Sequence, residues 1–243
     1  MFFSQFCFRV APLLLASLLP TQTNPFHANS SANDQSLRVV EARYQKAATL
    51  EVTFLERYLD NGKQVNLEAG KAYFQHPGRM RWEYEAPEKN VFLVDGKFVW
   101  FYAPADHTVT RMPARNSEDW RTPLAFLTTG MKLSHICAAL DLVADQQPSQ
   151  PGNTMYRCTL RLVEQQTTPP ASKKPTDSVL FEISPSRELA RILIHQEGGI
   201  DIEFTFKDWQ WNPALPANLF QFSAPRGVAI VDGVLPDAPG MRP

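Results

Sequence analysis

Nucleophiles, acid–base pairs and metal ligands are sparse in this sequence and badly spaced for catalysis. Past the first thirty residues the histidines are His76, His107, His135 and His195, with no H-E-x-x-H and no paired spacing that suits zinc, so neither a metal nor a cofactor is expected. No G-x-S-x-G elbow is present to expose a serine nucleophile, which leaves a secreted esterase as a remote reading. Glu83, Glu85 and Asp95 fall at outward strand positions or in a turn, where a carboxylate serves as a solvated charge. Cys137 and Cys158 lack C-x-x-C redox spacing and are either a disulfide or two buried thiols packing as small apolar groups. If bonded, the closed loop contributes about 3 kcal/mol. The chain does not read as an enzyme.

Large apolar side chains in strict alternation are what the sequence has instead. Met80, Trp82 and Tyr84 alternate with Arg79, Arg81, Glu83 and Glu85, placing three apolar groups on one face of a strand and charges on the other. Phe98, Trp100 and Tyr102 share a face of a later strand, with Val99 and Phe101 on its opposite face. Such stripes line an apolar ligand pocket or simply fill a core, and residue types leave both open.

Strands and short helices must position these stripes. An amphipathic helix from Asn33 is marked by Leu37, Val40, Tyr44 and Ala47, with Asn33 or Asp34 as its cap. The period then drops to two, with Leu50, Val52 and Phe54 alternating with Glu51, Thr53 and Leu55. Asp60-Asn61-Gly62 turns the chain into a second strand over 65–74, and Asp95-Gly96 joins strands over 90–94 and 97–102. Further strands are expected over 108–112, 155–163, 178–184, 189–196 and 200–207, with Ile200, Ile202, Phe204 and Phe206 on one face of the last. An interrupted helix is expected over 117–129, where Trp120, Leu124 and Leu127 recur about once per turn and Pro123 breaks the pattern. Residues 133–140 are ambiguous, and the Pro-rich stretch 167–175 reads as a solvated loop. The sum is a mainly β (α+β) fold: one highly curved antiparallel sheet of about ten or eleven strands, a half-open β-barrel with a helical lid over an apolar cavity.

Composition bounds the function. The 243 residues carry 24 basic and 25 acidic side chains and are 44% hydrophobic, which excludes a disordered tract, and a net charge of −1 gives no footprint for nucleic acid. Arg9 is the only charge in the first thirty residues, and an apolar run over 10–19 follows it, far short of the roughly twenty residues a membrane-spanning helix needs. Residues 1–32 therefore read as a cleaved signal peptide, with Ser30 and Ala32 at the small positions. Cys7 precedes the apolar run, where a lipidated cysteine would follow it. Residues 33–233 are expected to form one soluble domain with a Pro-rich tail over 234–243; loss of Arg9 and no acid leaves this portion at −2.

The stretch 72–84 (Ala-Tyr-Phe-Gln-His-Pro-Gly-Arg-Met-Arg-Trp-Glu-Tyr), followed by Val94-Asp95-Gly96-Lys97 and Trp100-Phe101-Tyr102-Ala103-Pro104, resembles the periplasmic lipoprotein carrier family, LolA. Thr122-Pro123-Leu124-Ala125-Phe126-Leu127 is similar to that family's lid segment, and 218–222 with 225–228 to its C-terminal end, so the resemblance runs from Leu37 to Asp232. It implies a periplasmic, monomeric carrier that takes acylated lipoproteins from an inner-membrane ABC exporter and passes them to an outer-membrane acceptor. By position, Met80, Trp82 and Tyr84 would face the acyl chains. Phe98, Trp100 and Tyr102 would continue that wall, or Val99 and Phe101 if the register is inverted, and Leu124 and Leu127 would close it. His76 stands where the family often has Arg or Lys, which implies a more weakly latched lid, or an ordinary surface histidine. A lipid sensor, or a carrier of another acylated envelope lipid, remains the alternative.

Overall fold

Residues 49–75 hold the longest alternating pattern and form the longest strand pair. In the computed structural model the structure describes residues 25–114, 127, 132–160, 178–196 and 198–233. Strands β1 (Thr49–Asp60) and β2 (Lys63–Gln75) run antiparallel about Asn61 and Gly62, whose φ angles of 47° and 77° are those a tight two-residue hairpin demands. The chain continues through β3 (Arg79–Ala86), β4 (Val91–Val94), β5 (Phe98–Ala103) and β6 (Thr108–Pro113). A single helical turn (Leu133–Ile136) then leads into β7 (Cys137–Val143), β8 (Thr154–Leu160), β9 (Ser178–Ile183), β10 (Leu189–Gln196), β11 (Ile200–Trp211) and β12 (Ala229–Asp232).

These twelve strands make one curved, open sheet in the order β12-β6-β5-β4-β3-β2-β1-β11-β10-β9-β8-β7. Its two ends, β12 and β7, are not neighbours, so the barrel stays half open. Alternation stops short of twelve because β7 and β12 carry little of it: β12 is exposed along its whole length, and β7 buries only its first and last residues. The sheet is also not wholly antiparallel, since β12 lies parallel to β6. Arg111 donates from Nε and Nη2 to the two carboxylate oxygens of Asp232 at 2.7 and 2.9 Å, which fixes that pairing.

Helix α1 (Pro25–Lys46) covers part of the concave face with Leu37, Val40 and Tyr44, all buried. It starts eight residues before the expected Asn33, and the cleavage point expected after Ala32 falls inside it; the apolar spacing that marked the helix begins only at Leu37. Its C-terminal end is fastened to β10 and β11. Tyr44 packs edge-on against Trp209 and Trp211 at 5.3 and 4.8 Å, and its hydroxyl accepts the Leu189 N–H at 2.9 Å. Arg43 lies 3.9 Å over the Trp211 ring and pairs with Glu188 at 3.1 Å. The interrupted helix expected over 117–129 lies outside the described residues except for Leu127, as do the Pro-rich stretch 167–175 and the tail 234–243.

Candidate functional site

Register decides which side chains share the concave face. Across β3, β4, β5 and β6 the opposed residues are Met80, Val94, Val99 and Met112 in one row and Trp82, Phe92, Phe101 and Thr110 in the next. Directly opposed residues in an antiparallel ladder project to the same side. Val99 and Phe101 therefore continue the wall begun by Met80 and Trp82. Phe98, Trp100 and Tyr102, the first choice implied by the resemblance, belong to the convex side, opposite Pro113, Arg111 and Val109. That correction has a local cause: one strand's alternation fixes which residues go together but not which set faces inward.

Trp82 is the centre of the wall and is 1% exposed. Phe54 meets it edge-on at 4.7 Å, Phe204 at 5.6 Å and Phe74 at 6.0 Å. Edge-to-face contacts of this kind add about 0.5–1.5 kcal/mol each beyond area burial. Tyr84 closes against Phe54 at 5.1 Å. Between them in register is Gly70, where an added Cβ would sit 2.0 Å from the Glu83 carbonyl oxygen; the missing side chain lets β3 press onto β2 at a bulge. Leu127 is fully buried against this core, whereas Leu124 lies outside the described residues. His76 follows β2 in the turn before β3, half-buried, and its backbone N–H donates to the Ala48 carbonyl at 3.0 Å. The segment expected to be latched by His76 lies outside the described residues but for Leu127.

One end of the wall is polar, which the sequence reading missed. Glu56 is in phase with Leu50, Val52 and Phe54, and Glu68 with Ala72 and Phe74; the two face each other across β1 and β2. Both are buried. Glu56 accepts the Tyr58 hydroxyl at 2.6 Å and the Tyr84 hydroxyl at 2.9 Å. Burial, reinforced by the Glu56 charge, pushes the Tyr58 phenol far above its usual range. Burial likewise pushes the Glu68 carboxyl up to about 7; the charge of Glu88 adds to this and a hydrogen bond from Asn66 opposes it. Continuing the period-two count of β1 by one step would have placed Glu56 inside.

The convex side has its own structure. Trp100 stacks on Phe222 at 5.1 Å and donates from Nε1 to Asp95 at 2.8 Å, and Arg81 donates to the Leu219 carbonyl at 3.3 Å, so the chain after β11 packs over the outer aromatic stripe. Farther along, Arg57, Glu203, Arg191 and Glu182 form a chain of ion pairs at 2.6, 3.4 and 2.7 Å. Glu182 also accepts from Ser149 and Asn153. Cys137 and Cys158 are joined by a disulfide, S–S 2.12 Å, tying β7 to β8. Among the described residues, no three His, Cys, Asp or Glu side chains gather as metal ligands, and no helix is long and apolar enough to cross a membrane.

Residues 45–150 match the family model described as outer membrane lipoprotein carrier protein LolA. A protein of Xanthomonas axonopodis pv. citri named outer-membrane lipoprotein carrier protein is 30% identical over 188 residues, covering 75% of this chain and 81% of that one. The chain belongs to the LolA family. A Nitrosospira multiformis protein of the same name is 26% identical over 190 residues, 77% of this chain and 84% of the other. The fold extends beyond recognisable sequence: an uncharacterized conserved protein from Thermus thermophilus superposes with a TM-score of 0.51 at 12% identity, covering 83% of this chain and 99% of that one. In this LolA-family chain the motif over 72–84 spans the end of β2 and all but the last residues of β3, bringing Phe74, Met80 and Trp82 into one inward cluster. In the motif over 218–222, Phe222 stacks on Trp100 of the convex stripe and Phe220 is buried.

Proposed function

We propose that this protein is a periplasmic carrier that shields the acyl chains of lipoproteins on the concave wall and moves them from an inner-membrane ABC exporter to an outer-membrane acceptor. The observation that carries this reading is the wall itself. Among the described residues, the continuous aromatic surface around Trp82 shares its core with helix α1, Leu127 and Leu133 and not with a second sheet, so that cover can give way without breaking a strand ladder. Shielding half of a sixteen-carbon chain is worth on the order of 6 kcal/mol, enough to hold a cargo that water rejects. Because the same surface buries the protein's own side chains when empty, closure competes with cargo, which keeps affinity low enough for release. Met80, Trp82 and Tyr84, continued by Val99 and Phe101 and closed by Leu127, form the proposed acyl-chain surface, and His76 is the proposed latch. The signal peptide ends at Ala32 in this scheme, and no bond is made or broken during transfer.

The test uses spheroplasts producing a labelled triacylated lipoprotein, incubated with the purified protein and its matched exporter. Energy-dependent appearance of label in the soluble fraction as a one-to-one complex is the expected result. No release with a folded protein and the matched exporter present would sink the lipoprotein reading.

A further inference from the structure

We propose that the outer edge of β12 takes the extended peptide segment that follows the cargo's acylated residue and adds it to the sheet as a further strand. This rests on the carrier reading and names how the cargo's polypeptide end is held. β12 ends the sheet, and no strand lies beyond it among the described residues. The Ala229 and Gly233 N–H groups donate to the His107 and Arg111 carbonyls at 3.2 and 3.1 Å, so residues 229, 231 and 233 direct their backbone groups toward β6. Strand alternation then turns the N–H and C=O of Ile230 and Asp232 outward, two donors and two acceptors at the spacing of a strand.

The two ends of the sheet meet solvent differently. β7 carries a bulge between Cys137 and Ala139 and an exposed Asp141, both of which discourage pairing with another strand. β12 reads Ala-Ile-Val-Asp, with no proline or lysine, and its one charge is neutralised by Arg111 on the convex side. Ile230 and Val231 are 48% and 49% exposed. Val231 also stands opposite Thr110, and so ends the concave row that runs through Trp82, Phe92 and Phe101. From β12 in to Phe92 of β4 is three strand spacings, about 14 Å. An acyl chain that fills one leaflet is about 15 Å long, so a chain laid along that row brings the acylated residue to the β12 rim.

The length of the edge selects its occupant. Four residues of strand, about 13 Å, cover far less than the roughly 1,000 Å² that a lasting contact between two proteins needs. A segment already tethered through its acyl chains needs no such area, because its effective concentration at the edge is in the millimolar range. Main-chain pairing also ignores side-chain identity, which suits a carrier whose cargoes share the acylated end and differ beyond it.

The experiment measures displacement of a bound fluorescent acyl probe from the full mature protein. The competitors are a synthetic triacylated lipopeptide with a flexible linker after the acylated cysteine, and the same lipopeptide with every linker amide N-methylated. The unmodified linker is expected to bind about fivefold more tightly and to slow amide exchange at Ile230 and Asp232, which the N-methylated one leaves unchanged. Ile230→Pro removes an outward N–H that β6 does not use, so the fold is kept and the difference shrinks to about twofold, with the N-methylated affinity unaltered. Equal affinities of the two lipopeptides for the wild-type protein, with exchange at Ile230 and Asp232 unchanged, overturn the edge site while the carrier reading stands, and need no variant to fold. Self-association of the empty protein in sedimentation velocity that Ile230→Pro abolishes gives the edge to a second copy and likewise overturns it. Failure of both lipopeptides to displace the probe overturns the carrier reading as well.

Discussion

At the scale of single residues, neighbouring side chains on β5 have opposite surroundings. Phe101 opposes Phe92 on the concave side, and Tyr102 opposes Val91 on the convex side with Phe222 at 6.0 Å. Phe101→Ala is expected to lower cargo release from spheroplasts severalfold, whereas Tyr102→Ala leaves release unchanged at matched folded concentration; equal effects would refute the assignment of faces. Glu68 makes a separate thermodynamic claim. Its carboxyl sits at about 7 in the folded protein against an ordinary 4.5, so the native state binds more protons between those values. Stability from this group is therefore fully present below about pH 4.5 and falls as pH rises through 7. Melting curves between pH 5 and pH 8 should show that decline, and Glu68→Gln, which cannot ionise, should flatten it.

Among the elements, the β2–β3 pairing depends on one missing methyl group. A side chain at position 70 would drive into the Glu83 carbonyl, and backbone cannot yield as a flexible side chain does. Gly70→Val is expected to cost about 2–4 kcal/mol in urea unfolding, in the range of overpacked and strained sites. A cost under about 0.5 kcal/mol would mean the two strands separate easily there. The other end of the sheet is held differently. β7 is an edge strand with Leu142 exposed, and the Cys137–Cys158 bond attaches it to β8 across 21 residues of chain. Replacing both cysteines with alanine should lower stability by about 3 kcal/mol and speed amide exchange in β7 more than in β1 or β11.

For the whole molecule, an open sheet has two faces to stabilise, and this one treats them unlike. The concave side is an aromatic core, while the convex side carries ion pairs from Arg57 through Glu203 and Arg191 to Glu182. Burial pushes the Glu182 carboxyl up, but hydrogen bonds from Ser149 and Asn153 and the Arg191 charge outweigh it and hold the group below its ordinary 4.5. Stability from Glu182 is thus present above pH 4.5 and lost as pH falls through the lowered value, the opposite sense to Glu68. The melting temperature should pass through a maximum between the two and drop on the acid side. Arg191→Met, which strands Glu182 in the interior, should cost about 3 kcal/mol and move the acid limb upward in pH; an unmoved limb would show that other groups govern acid unfolding.

Local pattern made the sheet, the hairpins at Asn61-Gly62 and Asp95-Gly96 and the last two-thirds of α1 legible, because turn chemistry and period-two alternation act within a few residues; the LolA family was legible only through the resemblance of whole motifs such as 72–84. It also grouped Met80 with Trp82 and Tyr84. What alternation cannot supply is absolute facing. Phe98, Trp100 and Tyr102 are as apolar as any wall residue, and only pairing with β4 and β6 put them outside, under Phe222 from far along the chain. β12 was illegible because its four exposed residues owe their strand to β6 and to the Arg111–Asp232 pair, both distant in sequence. The facing of Glu56 and Glu68 was written in the period, but its meaning was not: a glutamate in phase with a core becomes a buried carboxyl pair only when two strands set both on the covered side, where removal from water changes what each group can bind.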